Sequence, residues 1–161
     1  MDYSENSRRY KEYLKQTSHL IDNNRETTYW GNIPVRSRFL RPLHLAYKSG
    51  MRFVDLGCGA GNVLRFAHNI GYQVTGVEID GKFIEYIDDF EWYITNMEDL
   101  EPAFYKRFDV IYSYLPIKEG KQQYLDKIVT HMNVGSFILT PDTHIKDKRL
   151  IRLEEYFYKR I

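Results

Sequence analysis

Tyr10, Tyr13, Leu14 and Ile21 recur near a 3.6-residue period with charged positions between them. That pattern predicts an amphipathic helix over residues 7 to about 22, ended by Asn23-Asn24. Residues 27 to 36 hold Gly31 and Pro34 and read as a loop. Phe39, Leu40, Leu43, Ala46 and Tyr47 then mark one side of a second helix that stops at Gly50, with Pro42 in its first turn or at a kink. Beyond Gly50 the period changes. Short apolar runs at 53–56, 73–77, 92–95, 108–112 and 136–140 read as strands. Between them, Val63, Phe66, Ala67 and Ile70 mark a helix over 62–70 capped by Gly71. Phe83, Ile84, Ile87 and Phe90 mark another, and Tyr124, Leu125, Ile128, Val129 and Met132 a third. Strand and helix alternate, so the expected architecture is a doubly wound, mostly parallel sheet with helices on both faces. Such a sheet binds ligands beyond the carboxyl ends of its strands.

Composition narrows this little further. The 161 residues suit one domain, 43% hydrophobic and 28% charged, and no Gly/Ser/Pro linker divides them. The formal net charge of +1 supplies no global field toward nucleic acid or membrane. A single cysteine excludes an internal disulfide and suggests a cytoplasmic setting. The N-terminus lacks the basic and apolar stretch of a signal peptide, and no apolar run approaches the ~20 residues of a membrane span. The five histidines show no metal spacing, so no metal is expected. Charge is unevenly placed: no acid lies between Glu26 and Asp55, a stretch carrying Arg36, Arg38, Arg41, Lys48 and Arg52, whereas 78–109 is acidic. Aromatics reach 16%, with 14 tyrosines; tyrosine suits core edges and clefts alike.

The chemistry concentrates in Val54-Asp55-Leu56-Gly57-Cys58-Gly59-Ala60-Gly61-Asn62. Glycines at alternate positions let the backbone turn sharply and approach a ligand closely. The third glycine comes one residue earlier than in the dinucleotide fingerprint, and an acid precedes the first. Further along, Glu78 ends the second strand, and Thr95-Asn96-Met97 follows the third. Together these resemble the class I S-adenosylmethionine-dependent methyltransferases, whose motif I reads D-x-G-x-G-x-G. The resemblance covers roughly residues 53 to 140. It implies a Rossmann-like sheet of order 3-2-1-4-5, and S-adenosyl-L-methionine as cofactor with S-adenosyl-L-homocysteine as product.

The resemblance also assigns roles. Gly57, Cys58, Gly59, Gly61 and Asn62 form the cofactor loop. Glu78, followed by Ile79, takes the ribose hydroxyls. Asn96 takes the adenine amino group beside the Met97 backbone N–H, and Tyr112 completes the cofactor set. Asp55 either orients the cofactor amine or braces the loop. Cys58 reads as a small residue the loop tolerates rather than a nucleophile. Ser113, Tyr114 and Pro116 fall where the family places substrate-facing residues; they either hold a cation or planar group, or pack the loop. The leading Asn or Asp of amine-methylating relatives is absent there. Tyr29 and Trp30 either cover the site or pack on the core. Residues 1–50 thus form an N-terminal helical or lid segment and 51–161 the cofactor-binding core of one domain.

Only 20 residues follow Pro141. One strand over 151–158 fits there, so the sheet is expected to be a truncated version of the family's, with one extra edge strand at most. The expected activity is methyl transfer, with a lean to an amine nitrogen of a protein or small molecule. The alternatives are a regulatory or scaffolding protein that binds the cofactor without transfer, or aminopropyl transfer or cofactor cleavage. The expected partner is the methyl acceptor, with no membrane, nucleic acid not favoured, and a monomer or homodimer.

Overall fold

A computed structural model describes residues 37–86, 90–114 and 120–161. The strands are β1 (Arg52–Leu56), β2 (Gln73–Glu78), β3 (Glu91–Ile94), β4 (Val110–Tyr112), β5 (Phe137–Leu139), β6 (Leu150–Glu154) and β7 (Phe157–Arg160). The helices are α1 (Ser37–Ala46), α2 (Asn62–Ile70), α3 (Pro102–Tyr105) and α4 (Lys121–His131). One sheet runs β3-β2-β1-β4-β5-β7-β6. The five strands from β3 to β5 pair in parallel, and β7 joins β5 antiparallel. The 3-2-1-4-5 core is therefore as the sequence implies.

Alternation along the strands sorts two apolar layers. Phe53, Val74, Tyr112, Leu139 and Phe157 point to one face, where Leu40 and Leu43 of α1 and Leu64 and Ala67 of α2 cover them. Val54, Val77, Ile111, Ile138 and Tyr158 point to the other, under Leu125, Ile128 and Val129 of α4. Each fully buried side chain of this size contributes about 1.5–3 kcal/mol of transfer free energy. Helix α1 carries Pro42 in its interior, beyond the first turn. Near the end of α1, the Leu43 carbonyl accepts from the buried Tyr72 hydroxyl at 2.7 Å.

Three expectations change. The residues around Phe83 form a 3-10 helix, Gly81–Tyr86, rather than an α-helix, and 87–89 lie outside the described residues. The short helix α3, opened by Pro102, was not anticipated. The C-terminal segment is not one strand but two. β6 and β7 form a hairpin whose turn places Tyr156 at φ 60°. No helix intervenes, so 20 residues suffice for what a helical crossover would make impossible. The sheet is consequently seven strands wide rather than truncated. The segment predicted helical over 7–22, and Tyr29, Trp30 and Pro116, lie outside the described residues.

Candidate functional site

The carboxyl ends of β1, β2, β3 and β4 lie side by side, because these strands are parallel and adjacent. The glycine loop leaves β1 and folds over the end of β2. The Gly57 and Cys58 N–H groups both donate to the Val77 carbonyl, at 2.8 and 2.9 Å. Gly57, Gly59 and Gly61 have φ of 87°, 51° and 80°, in the left-handed region that glycine enters without a Cβ clash. Gly61 then starts α2, and no side chain caps the helix N-terminus. Its first-turn N–H groups can therefore receive an anionic ligand group. Arg65 steadies the loop from α2 by donating to the Ala60 carbonyl at 2.7 Å.

Gly76, inside β2, is a functional position that the motif reading did not single out. A Cβ there would stand 2.8 Å from Cys58 Sγ and 2.8 Å from Leu64 Cδ1. The loop and α2 can settle on β2 only because that side chain is missing. The available signal was an isolated glycine inside a strand, which often marks close backbone approach.

Glu78 is buried, and its carboxylate is the keystone of the loop. Oε2 accepts from the Gly59 N–H at 2.8 Å. Oε1 accepts from the Ile79 N–H at 2.9 Å and the Asp80 N–H at 3.0 Å. A carboxylate offers about four lone-pair sites, so these bonds leave about one free. A ribose hydroxyl can use that place, whereas two hydroxyls would have to displace a backbone donor.

Asp55, one strand away on β1, is only 2% exposed, and its Oδ1 has no hydrogen-bond partner. Burial, followed by the nearby Glu78 charge, pushes its pKa well above the usual carboxylate range. The same influences act on Cys58. Burial first, and then the acidic neighbourhood of the loop, raise its thiol pKa, which leaves it protonated and unreactive.

The remaining predicted residues distribute as follows. Ile79 is 41% exposed beside Glu78. Asn96 is half-buried, and its Oδ1 accepts from the Glu98 N–H at 3.0 Å, capping the 3-10 turn Met97–Asp99. That capping bond uses part of the acceptor capacity an adenine amino group would need. Met97 comes close to the loop, its Sδ 4.0 Å from where a Cβ on Gly57 would lie. Tyr112 is buried in the core layer of α1 and α2, with its ring 6.3 Å from that of Phe53. Ser113 is fully buried; its Oγ donates to the Leu56 carbonyl at 3.3 Å and its N–H to the Leu139 carbonyl at 3.0 Å. Tyr114 is half-buried against the α1–α2 layer. Asp109 lies at the opposite, amino end, where it accepts from the Arg52 N–H at 2.8 Å, a structural contact.

The donor set fits S-adenosyl-L-methionine. Asp55 offers a buried, unpaired carboxylate oxygen to an ammonium group, and the uncapped start of α2 offers N–H groups to a carboxylate. Glu78 offers its remaining lone pair to a hydroxyl, and the left-handed glycines remove the side chains that would fill the space above β1.

Comparison with known proteins agrees with that chemistry. A family model described as "Methyltransferase domain" matches residues 54–135, just over half the chain. No curated protein gives a significant sequence match. Among solved structures, the chain is similar to an S-adenosylmethionine-dependent methyltransferase from Mesorhizobium loti, at 24% identity and TM-score 0.51 over 61% of this chain and 50% of that one. It is also similar to TehB from Haemophilus influenzae, at 17% identity and TM-score 0.56 over 69% and 42%. A third is the plantazolicin methyltransferase BpumL, solved with a pentazolic desmethylPZN analog and SAH, at 21% identity and TM-score 0.53 over 77% and 51%. The chain spans about half the length of these structures. At these identities the likeness is one of fold. The family model and the site geometry together carry the conclusion: the chain belongs to the methyltransferase-domain family of class I S-adenosylmethionine-dependent methyltransferases.

Proposed function

We propose that the protein transfers a methyl group from S-adenosyl-L-methionine to an amine nitrogen of a protein or small molecule. The observation that carries the cofactor half is the arrangement at the ends of β1 and β2. A left-handed glycine loop, a keyed Glu78 and an orphaned Asp55 oxygen converge there. For a sulfonium donor the protein need only align a nucleophile with the methyl carbon and exclude water.

The acceptor half rests on the end of β4. Residues 112–114 supply two tyrosines and a serine whose hydroxyl is already used, and no carboxylate or imidazole. That composition offers no strong base, which suits an amine that arrives neutral, with the half-buried Tyr114 as its aromatic neighbour. Incubation with methyl-labelled cofactor and cell extract tests the proposal. Label in an amine of an acceptor supports it, and label in an oxygen or carbon overturns the amine assignment. Binding without labelled product points to a protein that senses the cofactor, and breakdown without an acceptor points to cleavage.

A further inference from the structure

We infer that Asp55 carries a proton in the ligand-free protein and surrenders it when the ammonium group of the cofactor enters, so that binding exchanges a proton for a cation. The inference rests on the cofactor reading above and adds to it the protonation state of the residue that meets the amine.

Asp55 sits on the central strand, with Gly76 of β2 and Tyr112 of β4 as its register partners. It is 2% exposed and its Oδ1 has no partner. A carboxylate in that position has no donor at one oxygen and little access to solvent, so the ionised form is disfavoured. The second acid is treated oppositely. Glu78 receives three backbone N–H bonds across both oxygens. Such donors stabilise the charged form. Of this pair, Asp55, with an oxygen that no donor reaches, is therefore the acid that holds the proton.

The surrounding groups reinforce that split. Glu78 faces Asp55 from β2 and its charge opposes a second one. Cys58, from the loop, is a neutral thiol. Tyr112, from β4, contributes a phenol. Arg65 of α2 commits its guanidinium to the Ala60 carbonyl. An incoming ammonium group changes the balance, because it supplies the charge and the donors that an ionised Asp55 lacks. The proton then leaves to solvent, and an ammonium–carboxylate pair replaces a neutral acid.

The sign follows by linkage. The ligand-free carboxyl has the higher pKa and the bound one the lower, so affinity rises with pH between them, by up to about tenfold per unit, and levels off above the ligand-free value.

Two measurements on the whole chain test this. The first is titration of S-adenosyl-L-homocysteine into the protein by calorimetry near pH 6.5, in phosphate and in bis-Tris, whose different ionisation heats report protons released. The second is the carboxyl carbon-13 resonance of Asp55 followed against pH in the ligand-free protein. The expected results are net proton release on binding, almost none in Asp55→Asn, and an Asp55 resonance that stays protonated above the ordinary titration near 4. Binding without proton release, or an Asp55 that titrates in the ordinary range, overturns the exchange and leaves the cofactor reading standing. Absence of any binding overturns both. Should Asp55→Asn fail to fold, the wild-type titration and resonance decide alone.

Discussion

Glu78→Gln separates the two tasks given to this side chain. The shape is conserved and one oxygen survives. With that oxygen in the Oε1 position, the bonds from the Ile79 and Asp80 N–H groups remain, but they lose the charge that made them strong. The amide nitrogen then stands where Oε2 accepts from the Gly59 N–H, so a donor meets a donor in a buried place. Losing that bond and leaving the N–H unsatisfied costs about 1–3 kcal/mol. Halving two charge-assisted bonds adds about 1–2 kcal/mol. Removing the Glu78 charge also makes Asp55 easier to ionise, which returns a fraction of this. The net expectation is a destabilisation of about 2–4 kcal/mol, large against the 5–15 kcal/mol of an ordinary domain. Urea unfolding followed by circular dichroism reads it as a lower midpoint at unchanged slope. Cofactor affinity should fall as well, because the loop carrying Gly59 is no longer held. A folded Glu78→Gln protein within 0.5 kcal/mol of wild type, by the usual scale of surface substitutions, would refute the assignment of Glu78 as the brace of the loop.

Other substitutions probe the neighbouring contacts. Gly76→Ala places a methyl 2.8 Å from Cys58 Sγ and Leu64 Cδ1; it should cost about 1–3 kcal/mol by overpacking and weaken S-adenosyl-L-homocysteine binding, both readable from thermal shift with and without ligand. Asp55→Asn should stabilise the ligand-free protein at neutral pH. The raised folded-state pKa gives wild type a contribution that is full below the unfolded value near 3.9 and lost as pH rises through the folded-state value, and asparagine removes that loss. Urea midpoints of the two proteins should therefore diverge as pH rises from 4 to 8, and parallel curves would contradict it. Tyr114→Ala should lower methyl transfer more than cofactor affinity, as loss of alignment does; equal losses in turnover and calorimetry would make it a cofactor contact instead. Below pH 4, the stabilising contribution of the Glu91–Arg107 ion pair should begin to decline. Burial works to raise the Glu91 pKa, but hydrogen bonds from Thr75, Tyr93 and Arg107 outweigh it and hold it at about 2, so its contribution is lost as pH falls toward 2; a carbon-13 titration of Glu91 checks that value.

What the sequence revealed of this site depended on how locally each feature is determined. The loop from Asp55 to Asn62 and the helix over 62–70 were legible because glycine spacing and a 3.6 period are properties of contiguous residues. The position of Glu78 was legible from its place at a strand end. Its bonding to the Gly59 N–H was not, because two strands had to be laid side by side before the carboxylate and the loop met. The hairpin of β6 and β7 was hidden for another reason. Glu155-Tyr156 is not a glycine or asparagine turn, and Tyr156 adopts φ 60° against its preference. Its carbonyl accepts from the Thr140 N–H at 3.0 Å, a contact outside the local sequence. Around Phe83, apolar spacing was the same for an α-helix and for the 3-10 turn that formed. Tyr112 and Ser113 read as site residues because they end β4; the structure shows both buried, with the half-exposed Tyr114 next in line.

The central claim is that the ends of β1 and β2 form the cofactor site. A crystal structure of the full chain with S-adenosyl-L-homocysteine tests it most directly. The account predicts the amine beside Asp55, the ribose within hydrogen-bond distance of Glu78 and the adenine against Asn96 and Met97, with the thioether sulfur directed toward Tyr114. Density for the ligand anywhere other than above the Gly57–Gly61 loop, with Asp55 and Glu78 left as they stand in the ligand-free protein, would contradict it.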